Sequence, residues 1–260
     1  MNAPPDSLPP MLVLAGGLGT RLRGRIGNDL PKVLAPVHGR PFVDYLLAWC
    51  GAQGLGRVGF ALGHRAEAVI DHLRASAAAQ PFATGWCVEP EPRGTAGGLA
   101  LALAELLPDG GPCLVMNGDT LVEVDLHAFR DGFGATGAEV GLVAAAVPDA
   151  GRYGALVLDG DCRVRRFAEK DPAPAGAAGE AWINAGIYLL SPRFQDRLRG
   201  IGRGSLERDL FARLPAGAIW AFKGARRFLD IGTDASLDEA QRVLAPLSGG
   251  HDAVRIWRDG

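Results

Sequence analysis

The chain has 260 residues, 48% of them apolar and 22% charged, with 27 Lys and Arg against 29 Asp and Glu. That length suits one large α/β domain or two small ones around a sizeable core. The near-zero net charge removes any bulk electrostatic case for nucleic acid or a membrane surface as partner, so a bound anion must be met by local groups. No apolar run reaches the roughly 18 to 20 residues that cross a bilayer, and MNAPPDSLPP lacks the basic and apolar regions of a signal peptide. Residues 1–10 are therefore expected to be a flexible extension of a soluble, cytoplasmic protein. Cys50, Cys87, Cys113 and Cys162 form no C-x-x-C pair, which points to reduced thiols rather than a zinc knuckle or a disulfide framework.

Along the first half, short apolar runs alternate with segments of helical period. MLVLA at 11–15, VGFAL at 58–62 and CLVMN at 113–117 predict strands. PFVDYLLAWCGAQG opens with Pro41 at a first helical position, sets Phe42, Tyr45, Leu46 and Trp49 at helical spacing, and stops at Gly54. Helices are predicted over 67–75 and 95–106 as well, and this alternation implies a parallel sheet with helices on both faces. The second half is less regular. AEVGLVAAAV, GALVLD, RVRRFAE and INAGIYLL read as strands, with helices at about 205–214 and 234–244 and a mobile loop of small residues around 172–179. With no internal repeat, one domain over residues 11–245 is expected, followed by a tail from 246 to 260 to which the sequence gives no role.

The first strand runs into LAGGLGTRLR. A glycine run costs backbone entropy and normally answers a positive φ or the close approach of another group. The run matches neither G-x-x-x-x-G-K-[ST] nor G-x-G-x-x-G. What remains is a strand end, the backbone N–H groups of Gly16, Gly17 and Gly19, and the side chains of Arg21, Arg23 and Arg25. That set suits a phosphate chain; its plainer reading is a glycine turn with solvated arginines. LVMNGDT ends a second strand at Asn117 and puts Asp119 on the same sheet edge, where a carboxylate either holds Mg²⁺ or caps a turn. Asp230 in RRFLDIGT repeats the pattern, as a second ligand to one metal or as a turn residue before a helix. Glu169 and Lys170 after RVRRFA, with Asn184 in WINAGIYLL, suit the hydroxyls and charge of a phosphorylated sugar, or form a surface ion pair and an edge amide. Glu89 in VEPEPRGTAGG leads through Gly94 into a helix, as a site group or a solvated loop charge.

Taken in order, LAGGLGTRLR, Pro31-Lys32, EPRGTAGG, NGDT, Glu169-Lys170, NAGIY and DIGT resemble the sugar-phosphate nucleotidyltransferases over residues 11–243. DLPKVLAPVHGRPFVDYLL, the Arg152-Tyr153-Gly154 triplet, SLERDLF at 205–211 and FLDIGT are most similar to the branch that joins GTP to D-glycero-α-D-manno-heptose 1-phosphate. The resemblance implies a single Rossmann-like α/β domain with a mixed, mostly parallel sheet flanked by helices. It also implies a nucleoside triphosphate and a sugar 1-phosphate as partners and Mg²⁺ as cofactor, and it leaves monomer or homodimer open.

By the same resemblance, the backbone of Gly16, Gly17 and Gly19 wraps the triphosphate, and Leu14, Ala15, Thr20, Thr95 and Asn117 are further nucleotide-binding residues. Arg21 meets the departing β- and γ-phosphates, Lys32 neutralises the reacting phosphates, and Asp119 with Asp230 holds the metal. Lys170 meets the sugar phosphate in the half that contains Gly154, while Glu169 and Asn184 meet ring hydroxyls. Glu89 and Gly94 occupy the base-reading stretch. A carboxylate accepts both donors on the Watson–Crick edge of guanine and repels the acceptor at N1 of adenine, so adenine is disfavoured at Glu89; uracil stays a rival, and the resemblance tips the choice to guanine. Leu18 and Leu22 make the loop more apolar than in some members, and no β-helical repeat follows, so acetyltransferase activity and repeat-driven trimers are not expected. Competing readings keep the fold with mannose, glucose or N-acetylmuramate 1-phosphate as substrate, or make the chain a non-catalytic binder of nucleotide sugars.

Overall fold

Apolarity on both faces makes β1 (Met11–Leu14) a central strand: Met11 and Val13 enter one core and Leu12 the other. The computed structural model describes residues 7–17, 19–27, 30–148, 150–151, 153–168, 181–247 and 256–258. After β1 come a 3-10 turn at Thr20–Leu22, the short α1 (Arg23–Ile26), a second 3-10 turn at Lys32–Leu34, and the hairpin of β2 (Pro36–Val37) and β3 (Arg40–Pro41). The chain then alternates through α2 (Phe42–Ala52), β4 (Arg57–Leu62), α3 (Ala66–Ser76), β5 (Ala83–Val88), α4 (Gly94–Leu106) and β6 (Cys113–Asn117). The second half holds β7 (Thr120–Glu123), α5 (Leu126–Gly134), β8 (Val140–Val147), β9 (Ala155–Leu158), β10 (Val164–Ala168), β11 (Ala181–Leu190) and α6 (Pro192–Leu198). It closes with β12 (Ile219–Phe222), β13 (Arg227–Asp230) and α7 (Asp234–Val243).

The result is a single α/β domain. Its central sheet runs β10-β9-β11-β6-β1-β4-β5, with β8 pairing β11 and β12 pairing β8. The stretch β6-β1-β4-β5 is parallel throughout, and β11 joins it antiparallel to β6. Side chains of α2, α3, α5 and α7 cover one face; those of α4 and α6 cover the other. Elements α5, α6, β7 and β12 were not expected from sequence, being short and held by partners distant in the chain.

The helix expected at about 205–214 is instead a wide, π-type turn at Leu206–Leu210 followed by a 3-10 turn at Phe211–Arg213. Leu206 and Phe211 are both buried in one cluster, and a spacing of five fits an i,i+5 turn better than an α-helical one.

Both ends of the described chain are fastened. Leu8 is buried, Pro10 O accepts from Leu114 N at 2.9 Å and Ser7 O accepts from Arg130 Nη1 at 3.2 Å, so the expected extension is anchored from Ser7 onward. Ile256 O accepts from Ala245 N at 2.9 Å, and Arg258 donates through Nε to Leu244 O at 2.9 Å, so residues 256–258 lie against the end of α7. The four cysteines are free; burial pushes Cys87 up to about 11 and Cys113 up to about 12. No described helix is long and apolar enough to cross a membrane. Arg152, Glu169, Lys170 and the loop expected at 172–179 lie outside the described residues.

Candidate active site

Strands β6 and β1 are neighbours whose connections leave toward opposite ends of the sheet, the switch point at which open parallel sheets bind ligands. A cleft of about 480 Å³ opens there, between the segment after β1, the segment after β6 and the N-terminus of α4. The glycines have separate reasons. Gly118 N donates to Leu14 O at 2.9 Å, and a Cβ on Gly118 would lie 2.9 Å from that same oxygen. Gly19 has φ +55°, and a Cβ there would lie 3.2 Å from Lys32 Cβ, so the glycine loop turns back onto Lys32. Gly17 has nothing within 4 Å of such a Cβ and leaves its backbone open to the cleft.

Lys32 begins a 3-10 turn anchored by the buried Val33 and Leu34, and its ammonium bonds Asp119 Oδ2. Asp119 stands between β6 and β7, and antiparallel pairing of β13 with β7 sets Asp230 opposite Thr120. Ile231 N donates to Asp119 O at 2.9 Å, holding the two acidic turns together. A Cβ on Gly232 would lie 2.8 and 3.1 Å from the Asp230 carboxylate oxygens and 3.1 Å from Lys32 Nζ. The Lys32 ammonium thus pairs with Asp119 and lies in the neighbourhood of the Asp230 carboxylate, 111 residues further on in sequence, where the local field favours a cation.

Glu89 follows β5. Its carboxylate accepts from Arg93 N at 2.7 Å through Oε2, while Oε1 lies 2.8 Å from where a Cβ on Gly16 would stand and 2.4 Å from one on Gly98. Burial raises its pKa, opposed by the Arg93 N–H and the Arg93 charge. The carboxylate is half-buried between two glycines rather than free in solvent.

Of the residues expected to touch nucleotide, Leu14, Ala15, Gly16, Gly17, Gly19 and Thr20 line this cleft, as do Glu89, Gly94, Thr95 and Asn117, together with Lys32 and Asp119. Arg21 is exposed and outside that lining. Arg25 is bound to Asp238 at 2.5 Å, so the run of arginines divides into separate tasks. Asn184 lies on β11 beside the cleft: the intervening Gly186 has φ +73°, and a Cβ on it would meet Asn117 Nδ2 at 2.7 Å. Gly154, with φ +75°, starts the run into β9. Glu207 was given no role from sequence, yet it accepts from the buried Tyr188 hydroxyl at 3.0 Å. Its signal was the SLERDLF run, in which Ser205 caps the turn that carries it.

The glycine loop and Asp119 follow the adjacent strands β1 and β6, and Lys32 is bonded to Asp119, an arrangement suited to a phosphorylated ligand. The chain belongs to the nucleotidyl transferase family, whose model matches residues 11–244. It is 32% identical over 223 residues to a mannose-1-phosphate guanyltransferase of Yarrowia lipolytica, covering 85% of this chain and 60% of that protein. Mannose-1-phosphate guanylyltransferase 1 of Arabidopsis thaliana is 31% identical over 224 residues, with the same coverage. The chain thus spans about 60% of the length of these curated relatives. Among solved structures, HddC from Yersinia pseudotuberculosis complexed with GMP-PN superposes with a TM-score of 0.78 at 28% identity, covering 90% of this chain and 99% of that one.

Proposed function

We propose that the chain is a guanylyltransferase that joins GTP to a sugar 1-phosphate of manno configuration, D-glycero-α-D-manno-heptose 1-phosphate first and mannose 1-phosphate second, releasing pyrophosphate. The observation that carries this is the meeting of the glycine loop, Lys32 and Asp119 at one cleft, with Asp230 set opposite Thr120 next to Asp119. Guanine is supported by the framed Glu89 carboxylate, by relatives named guanylyltransferases and by a neighbour solved with GMP-PN. The heptose reading rests on the motifs quoted above; the mannose reading rests on the names of the relatives. Both sugars present the same ring to the site.

An oxygen of the sugar phosphate, already anionic at neutral pH, attacks the α-phosphorus in line, and the pyrophosphate oxygen departs. No general base is required, so catalysis falls to alignment and charge neutralisation. The loop backbone orients the triphosphate, and Lys32 moves from Asp119 to the phosphate oxygens as negative charge gathers there. Asp119 and Asp230 would hold Mg²⁺, since they offer only hard oxygen atoms near a point already occupied by a cationic group. When bound, that ion supplies Lewis-acid neutralisation of the phosphates.

The test is pyrophosphate release from a matrix of GTP, UTP and ATP against heptose, mannose and glucose 1-phosphates. GTP with a manno sugar should give the highest kcat/KM; a uridine or adenosine preference overturns the base assignment. Glu89→Gln should narrow the preference for GTP over ATP by about tenfold while turnover persists, because a good bidentate contact is worth roughly 1 to 3 kcal/mol. Gly98→Ala should act on the same property from the other side: its Cβ would displace the carboxylate, raising KM for GTP with little change in kcat. An unchanged KM in steady-state kinetics would show that Glu89 does not face the base.

A further inference from the structure

We infer that Tyr188 and Glu207 are positioning residues that lock Asn184 in one orientation for the sugar 1-phosphate and tie it to the nucleotide side of the cleft. This rests on the proposed function. Between Asn184 and Tyr188, β11 advances four residues while its pairing with β8 advances only two, from Ala144 to Leu142, and Gly186 at φ +73° lies in the bulge. Such bulges re-aim side chains. Here Asn184 Oδ1 accepts from Gly186 N at 3.0 Å and Nδ2 donates to the Tyr188 hydroxyl oxygen at 2.9 Å.

The chain of bonds runs one way. Tyr188 is fully buried; burial first, then the charge of Glu207, hold its phenol well above the ordinary value, so it stays protonated and donates to Glu207 Oε1 at 3.0 Å. With that proton committed, the phenol oxygen has only acceptor capacity left for Asn184. The amide therefore cannot flip without losing both of its bonds, and it keeps one N–H and one acceptor site for a ligand hydroxyl. On the other side, Glu207 Oε2 accepts from Ser205 Oγ at 3.0 Å and from Thr95 Oγ1 at 3.5 Å, while Thr95 Oγ1 accepts from Leu206 N at 2.7 Å. Thr95 lines the cleft in the first turn of α4, so one carboxylate braces both halves.

Tyr188→Phe keeps the ring and removes the hydroxyl. Calorimetry and kinetics on the full chain, with GTP and with whichever of heptose or mannose 1-phosphate the wild type uses better, should show the Kd and KM of the sugar phosphate rising on the order of tenfold. GTP affinity should be unchanged. Glu207→Gln still offers Tyr188 an acceptor and should raise the sugar KM less than Tyr188→Phe does. A role in packing alone would move both substrates together, and that outcome, or an unmoved sugar KM, overturns the inference while wild-type binding leaves the proposed function standing. A wild-type chain that binds neither substrate removes both.

Discussion

Asp119→Asn is expected to lower kcat by roughly a thousandfold, about 4 kcal/mol of barrier, with only a small change in unfolding midpoint. The carboxylate has three tasks, two of which depend on its charge and are performed poorly by an amide. It holds the Lys32 ammonium, accepts from Thr120 Oγ1 at 3.1 Å, and adds its charge to that of Asp230 at the point where a cation is favoured. Its backbone keeps the bond from Ile231 N, so the pairing of β13 with β7 survives the substitution. Stability should hold because the side chain of Asp119 is 32% exposed and Asp230 remains beside the lysine. Rapid-quench measurement of pyrophosphate release at saturating substrates checks the rate, and thermal unfolding checks the fold. Full turnover in the variant, or in wild type with excess chelator, would sink the assignment of Asp119 and Asp230 to a metal.

Lys32→Met should cost on the order of a hundredfold in kcat, with GTP affinity falling less. The lysine sits under the glycine loop with its side chain 14% exposed, so its charge acts in a partly dry site, where neutralisation of developing charge is worth most. Met preserves length and packing against Gly19 but removes the ammonium that is bonded to Asp119. The exposed Arg21 should matter less than Lys32. A single-turnover rate within a few-fold of wild type would show that Lys32 only balances the two carboxylates.

Much of the site was legible in the sequence because its parts are strand ends. The run CLVMN is apolar because β6 is buried on both faces, and it stops at Asn117 because the backbone there leaves the sheet. The same logic exposed the loop after β1 and the turn before α7, where Thr233 caps the helix and leaves Asp230 at the strand end. Helices α2, α3 and α4 were readable from helical period, and α2 also from its stop at Gly54. Elements such as β7 and β13 were harder: each has four residues, and they exist as a pair because they meet across the fold.

What the sequence by itself determined was the inventory of chemistry and its place at the ends of apolar runs, because burial on two faces and the need to leave a sheet write themselves into local composition. Which of those groups act together was decided by tertiary structure alone. Asp119 and Asp230 meet only through antiparallel pairing, Arg25 is drawn away from the cleft by Asp238, and Glu207 reaches Tyr188 only because the segment before it packs on α4. The physical reason is range: periodicity and capping act over a few residues, whereas an ion pair or hydrogen bond across a cleft depends on sheet order and register, which are fixed by the packing of the whole core.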